Sequence, residues 1–137
     1  MSVRRIDAFF YGLFMDAEIL RASGVAPQNP RAARVDDFGL RIGRRATLEP
    51  MAGSRSYGML FALTHTELES LYAAPGLEQY RPEAVLALCV DGSATPALCY
   101  TLPQPPSPEE RNPEYASRLQ AILSKLGFPE EYVASVS

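Results

Sequence analysis

The strands of this chain are predicted from apolar runs that stop at turn-forming residues. Residues 6–11 are apolar and rich in aromatic side chains, and the run stops at Gly12, which is typical of a buried strand that leads into a loop. Residues 57–63 form a second apolar run of this kind. Residues 85–90 and 97–102 flank an Asp-Gly-Ser-Ala-Thr-Pro segment, and this pattern predicts a β-hairpin with a loop longer than a two-residue turn. These four runs are expected to be the core strands.

Two shorter strands are predicted between the first and second of these runs. They cover residues 35–42 and 46–48 and are separated by the turn Gly43-Arg44-Arg45. The proline-containing segment 27–30 before them is predicted to be a loop.

The two cysteines lie in the predicted hairpin. If the hairpin closes symmetrically about Ala94, Cys89 and Cys99 lie directly across from each other. The N-terminal residues show neither a secretory apolar core nor a transmembrane stretch, so we expect a cytoplasmic protein with reduced thiols. We therefore interpret the cysteines as small residues packed in the sheet core rather than as a redox pair.

Helix boundaries are marked by capping residues. Thr64 and Glu67 have the spacing of a capping box and predict a helix over residues 65–73. Asp16 is the predicted N-cap of a short helical turn that ends at Gly24.

The C-terminal region predicts a longer helix over about residues 112–127. It has Asn112 as N-cap, Pro113 at the first helical position and Gly127 as its end. A further helical turn is predicted over residues 128–133, and a stiff proline-rich segment precedes the long helix. Apolar residues at helical spacing predict the face of the long helix that packs on the core: Tyr115, Leu119, Ile122, Leu123 and Leu126.

The order of these elements indicates an α+β fold. Five or six mostly antiparallel strands are interleaved with two or three helices, which predicts a curled sheet or small barrel. With 137 residues, the chain is predicted to be a single domain over 1–137.

Composition and charge narrow the possible partners. Hydrophobic residues make up 47% and charged residues 21%, which is typical of a soluble globular chain and not of disorder. The net charge of −3 argues against generic binding to nucleic acid or to anionic membranes. Because the chain has one histidine, His65, and no clustered Cys/His spacing, no metal is expected.

Chemistry is indicated at the end of the first strand, since nucleotide-binding and hydrolase motifs are lacking. A glycine at a strand end lets the backbone approach a ligand, and successive N–H groups in a turn can hold a carboxylate. The loop Tyr11, Gly12, Leu13 and Phe14 is thus a candidate site. A tight structural turn is the alternative explanation of Gly12.

Four features in order resemble the γ-glutamylcyclotransferase-like family, including its AIG2-like members. They are Tyr11-Gly12, the run at 57–63 before a Leu-rich helix, Tyr80-Arg81-Pro82, and Asn112-Pro113-Glu114-Tyr115 leading to the ending Leu-Gly-Phe-Pro-Glu-Glu-Tyr at 126–132. The resemblance spans nearly the whole chain. It implies a mixed β-barrel with flanking helices and a cavity at the Tyr-Gly loop.

The resemblance also implies an activity and its site. Active members release 5-oxoproline from γ-glutamyl amines or peptides, by attack of the substrate's own α-amino group on its γ-carbonyl, without a cofactor. Tyr11, Gly12, Leu13 and Phe14 match the ligand-holding loop, and Tyr80 and Tyr100 match tyrosines near the cavity. The implied partner is a small γ-glutamyl or carboxylate molecule, and Arg81 and Arg55 are further candidates for holding its charge.

The family's catalytic acid is missing from its expected place. The corresponding stretch, residues 71–76, has Pro75 or Gly76 at that position, and neither residue can take a proton. The nearest acid is Glu78. Two hypotheses follow: Glu78 or another acid restores a cyclotransferase, or the barrel binds a small carboxylate or amine without turning it over.

Overall fold

The computed structural model describes residues 4–137 and is a barrel of five strands with four flanking helices in that part of the chain. A 3₁₀ turn covers Leu13–Met15. The strands are β1 (Arg5–Phe10), β2 (Gln28–Ile42), β3 (Ala46–Thr64), β4 (Arg81–Cys89) and β5 (Ala94–Thr101). The helices are α1 (Ala17–Ala22), α2 (His65–Tyr72), α3 (Pro113–Lys125) and α4 (Glu130–Ser135).

The strands close in the order β1-β3-β2-β4-β5. Neighbouring strands are antiparallel except where β5 meets β1, which it joins in parallel through Ala8 and Leu98. The barrel is therefore mixed, and the predicted α+β barrel with flanking helices is confirmed. Within residues 4–137, none of the helices has the length and apolarity that crossing a bilayer requires.

The second half of the first strand is buried in the core and leads to the candidate loop. Its last residues, Phe9 and Phe10, are buried, as is Tyr11 beyond them. The whole of β1 pairs with residues 59–64 of β3, and Gly58 of β3 lies against the backbone of Phe10. A side chain at Gly58 would overlap the Phe10 carbonyl, so this glycine lets β1 and β3 approach closely.

The central hairpin is much longer than the sequence pattern predicts. Instead of two short strands, β2 and β3 form one ladder that includes residues 28–34 and 49–56, and the segment 27–30 is strand from Gln28 onward. Most of these added positions are exposed or half-buried, so they lack the alternation that marks a strand. The ladder also shifts register twice, between Gln28 and Arg31 and between Asp36 and Phe38.

The predicted pairing of the two cysteines is wrong. In the β4–β5 hairpin Cys99 lies opposite Glu83, whereas Cys89 lies opposite Ala33 of β2. The turn is centred on Asp91 rather than Ala94, because the Asp91 carboxylate accepts hydrogen bonds from the backbone N–H and hydroxyl of Ser93. Both thiols are free, and burial raises the pKa of Cys99 far above its usual value.

The capping residues are where the sequence predicts them. Thr64 and Glu67 form a complete capping box at the start of α2, and the Asn112 side chain accepts from the Tyr115 N–H at the start of α3. On α3 the predicted buried face is only partly correct. Leu119 and Leu123 are fully buried, but Leu126 is 40% exposed because it lies past the last turn.

Candidate functional site

A cavity of about 250 Å³ opens at the end of the barrel where β1 leads into the 3₁₀ turn. Five segments enclose it: the end of β1 with its loop, α1, the β2–β3 turn, the end of α2 with the loop to β4, and the first turns of α3. Fifteen residues line the cavity, of which seven are aromatic and three are arginines, the others being aliphatic residues and one glycine. This composition makes the cavity aromatic within and positively charged at its mouth.

The candidate loop lines the cavity with all of its members, Tyr11, Gly12, Leu13 and Phe14. Tyr115 of α3 packs directly over it: its hydroxyl oxygen accepts a hydrogen bond from the Leu13 N–H at 3.3 Å. A Cβ at Gly12 would lie well inside 3.0 Å of that oxygen. Gly12 is thus required for the packing of α3 on the loop, and a ligand that uses the Leu13 amide must compete with Tyr115.

Two tyrosine hydroxyls of the site are already bonded within the protein. Tyr11 donates to the carbonyl oxygen of Tyr100 at 2.7 Å, and Tyr80 donates to the carbonyl oxygen of Ala46. Burial raises the pKa of both phenols well above the usual range. These side chains are therefore neutral near pH 7 and cannot serve as proton acceptors there.

Tyr72 and Tyr100 form a stacked pair with ring centroids 3.8 Å apart and planes 11° from parallel. Tyr72 faces the cavity, whereas Tyr100 lies behind it and does not line it. Sequence reasoning named Tyr100 and missed Tyr72. The available signal was the apolar spacing Leu68, Leu71 and Tyr72 on α2, which places this ring on the inner face of the helix.

Three exposed arginines, Arg44, Arg45 and Arg118, surround the mouth. None of them forms an ion pair with a carboxylate of residues 4–137. Glu110 is close to Arg44 but accepts from its backbone N–H, at 3.1 Å, rather than from its guanidinium. These three arginines form the rim of the cavity, and internal salt bridges do not neutralise their positive charge.

The arginines named from the sequence lie elsewhere. The Arg81 guanidinium donates to the carbonyl oxygens of Glu78 and Tyr80, and Arg55 is 3.8 Å from the Asp36 carboxylate. Neither lines the cavity.

Glu78 lies on the exposed side of the loop between α2 and β4 and is not among the residues that line the cavity. Its carboxylate accepts from the Gly76 N–H at 3.0 Å. Across residues 4–137, no Asp or Glu lines the cavity.

A cation lies beside Gly76, one of the two positions, with Pro75, at which the resemblance would place an acid. Gly76 has a positive φ of 89°, and a Cβ built there would be 3.0 Å from Nη2 of Arg45. Pro75 precedes it and is exposed. The cavity therefore has a guanidinium next to this position. In the described part of the chain, no group of three or more His, Cys, Asp or Glu side chains could hold a metal ion.

No family model matches the sequence, and no curated protein is significantly similar to it. Solved structures are similar in three dimensions. A gamma-glutamyl cyclotransferase matches with a TM-score of 0.81 at 19% identity, covering 98% of this chain and 89% of the other. An uncharacterised protein from Homo sapiens matches with a TM-score of 0.79 at 21% identity, with coverage of 98% and 89%. An AIG2-like protein from Mus musculus matches at 0.58 and 15% identity, with coverage of 92% and 85%. The chain therefore has the γ-glutamylcyclotransferase-like fold that the order of its motifs predicted.

Proposed function

We propose that this protein binds a small carboxylate in the cavity and does not catalyse the cyclotransferase reaction. The observation that carries the proposal is the charge of the lining: three arginines without ion-pair partners surround the mouth, and no acid of the described chain reaches it.

The cyclotransferase reaction needs a proton acceptor that the lining does not supply. An α-ammonium group is not nucleophilic until a base removes its proton. Glu78 is exposed and bonded to its own loop, and the cavity tyrosines are held neutral by burial. The rim arginines would also repel an ammonium group, since like charges at short distance disfavour each other.

The same lining suits a carboxylate. Guanidinium groups bind carboxylates through two parallel hydrogen bonds, and such charge-assisted bonds are stronger than neutral ones. Tyr115 also lines the cavity, and its hydroxyl accepts from the Leu13 N–H and can donate its own proton to a ligand. A carboxylate in the cavity can therefore accept from the arginines and from the Tyr115 hydroxyl.

Two measurements on the full chain test the proposal. In the first, 5-oxoproline release from γ-glutamyl amines and peptides is followed for the wild type and for Glu78→Gln. General-base assistance is worth roughly 100- to 10,000-fold, so without it we expect turnover near background in both proteins. Robust turnover of the wild type that disappears in Glu78→Gln would overturn the proposal and make Glu78 the base.

In the second, calorimetry measures the binding of propionate, glutarate and 3-phenylpropionate. We expect at least one of them to bind the wild type and to bind Arg45→Gln and Arg118→Gln more weakly. The matched control is Arg21→Gln, since Arg21 is an exposed arginine on α1 that does not line the cavity. Failure of all three carboxylates to bind the wild type would overturn the proposal.

The cyclotransferase remains the second candidate function, and the similarity in fold to a gamma-glutamyl cyclotransferase supports it. Its distinguishing result is the turnover pattern described above, with Glu78 as the essential acid.

A further inference from the structure

We infer that the carboxylate ligand contains an apolar body of about the size of one aromatic ring: the cavity accepts an arylalkyl carboxylate, with the ring inside and the charged group among the arginines. This inference rests on the proposed function. It adds the substrate class that the cavity selects.

The inner wall is built from rings rather than from polar side chains. Phe9, Phe10 and Tyr11 are buried at the end of β1, and Phe14 meets Phe10 edge to face at a centroid distance of 6.0 Å and an angle of 80°. Phe14 also meets Tyr72 edge to face at 6.2 Å and 84°. Aromatic pairs favour this geometry, so a ligand ring in the cavity can pack against the exposed edges and faces of these side chains.

The wall has few hydrogen-bonding groups left for a polar ligand body. Tyr11 and Tyr80 already donate to carbonyl oxygens of the protein. The lining contains no Ser, Thr, Asn, Gln, Asp or Glu side chain from residues 4–137. The ammonium and amide groups of a γ-glutamyl compound would therefore lose their hydration here without enough acceptors in return, which costs free energy. An apolar body has no such cost.

The volume sets the size of that body. An engineered apolar cavity of about 150 Å³ is large enough to bind benzene. The cavity of this protein, at about 250 Å³, holds one ring with a short chain that reaches the mouth. A carboxylate at the end of that chain would lie among Arg44, Arg45 and Arg118, which are exposed at the rim.

The test compares four probes on the wild-type protein by calorimetry. 3-Phenylpropionate has both ring and charge, propionate has the charge only, 3-phenylpropionamide has the ring only, and glutarate replaces the ring with a second carboxylate. We expect 3-phenylpropionate to bind best. Removing the ring should weaken binding by roughly 10- to 100-fold, the value of burying a side chain of phenylalanine size.

The outcomes separate this inference from the proposed function. If propionate or glutarate binds as tightly as 3-phenylpropionate, the ring contributes nothing and the inference is wrong, while carboxylate binding stands. If 3-phenylpropionamide binds as tightly as the acid, the arginines do not hold the ligand and both fail. If no probe binds, both fail as well.

A variant that fills the cavity gives an independent test of the inference. Leu77 lines the cavity from the half-buried loop after α2, so Leu77→Trp should reduce the space for the ring. We expect this variant to weaken the binding of 3-phenylpropionate by at least about 10-fold and the binding of propionate much less. Equal losses for the two probes would contradict the assignment of the ring to the cavity interior.

Discussion

The contact between Gly12 and Tyr115 gives the sharpest test of how the site is built. Gly12 has φ −114°, a conformation that alanine adopts freely, so Gly12→Ala introduces no backbone strain. Its only structural consequence is the new methyl group, which would overlap the Tyr115 hydroxyl oxygen. Tyr115 must then move, and the hydrogen bond from the Leu13 N–H is lost with it.

The magnitude follows from three contributions. Relieving an overlap in a packed region costs about 1–3 kcal/mol, and the lost hydrogen bond costs about 0.5–1.5 kcal/mol. Against this, alanine restricts the unfolded chain and stabilises by about 0.4–1 kcal/mol. The expected net cost of Gly12→Ala is therefore about 0.5–4 kcal/mol of unfolding free energy.

Tyr115→Phe isolates the responsible atom. It removes the oxygen, and the next ring atom, Cζ, lies 3.6 Å from the added Cβ, an ordinary contact. When Tyr115→Phe is already present, Gly12→Ala should therefore be neutral or slightly stabilising. The two substitutions are expected to couple by about 2 kcal/mol, within the range found for residues in contact.

The measurement is urea unfolding of the four proteins, followed by far-ultraviolet circular dichroism. The reasoning is refuted if the double variant loses as much stability as the two single variants together. Such additivity would mean that the Tyr115 hydroxyl does not cover Gly12.

Two further predictions concern stability. Leu123→Ala should lower the free energy of unfolding by about 2–5 kcal/mol, because Leu123 is fully buried. Leu126→Ala should lower it much less, because Leu126 is 40% exposed at the end of the same helix, and equal shifts in the urea midpoint would contradict the packing of α3. Burial alone would raise the pKa of Glu67, but hydrogen bonds from the Thr64 and Ala26 N–H groups lower it overall. The ionised Glu67 carboxylate therefore stabilises the fold above the pKa that it has in the unfolded chain, and this stabilisation is lost as the pH falls through its pKa in the folded protein. The difference in unfolding free energy between wild type and Glu67→Gln should thus stay constant near neutrality and shrink below about pH 4.

The fold could be predicted where a segment carries its own signal. β1, the capping box of α2 and the N-cap of α3 are each specified by a few adjacent residues, and the structure has them where the sequence predicts. The extended arms of the central hairpin carry no such signal, because exposed positions on both faces remove the alternation of a strand. The register between β4 and β5 depends on where the turn between them is centred. The sequence predicts a centre at Ala94, but the turn is centred on Asp91, so the predicted pairing of the two strands is wrong.

The candidate site also has a part that the sequence predicts and a part that it does not. The loop from Tyr11 to Phe14 could be predicted because it directly follows a strand and contains the glycine. The arginines of the rim could not be predicted. Arg44 and Arg45 lie in the β2–β3 turn and Arg118 lies on α3, and they come together only when the barrel has closed and α3 has packed on it. No periodicity or spacing in the sequence relates these positions.

Gly76, one of the two positions at which the resemblance would place the family acid, is unfavourable to a catalytic carboxylate in two independent ways. Gly76 has a left-handed backbone, which costs about 1–2 kcal/mol for a residue with a side chain. A side chain there would also begin 3.0 Å from the Arg45 guanidinium, and the resulting ion pair would hold a carboxylate ionised and lower its pKa. A base with a lowered pKa is a weaker proton acceptor. Arg45 of the β2–β3 turn and the left-handed backbone at Gly76 therefore both act against a catalytic base at this position, in agreement with the proposed binding of a carboxylate instead.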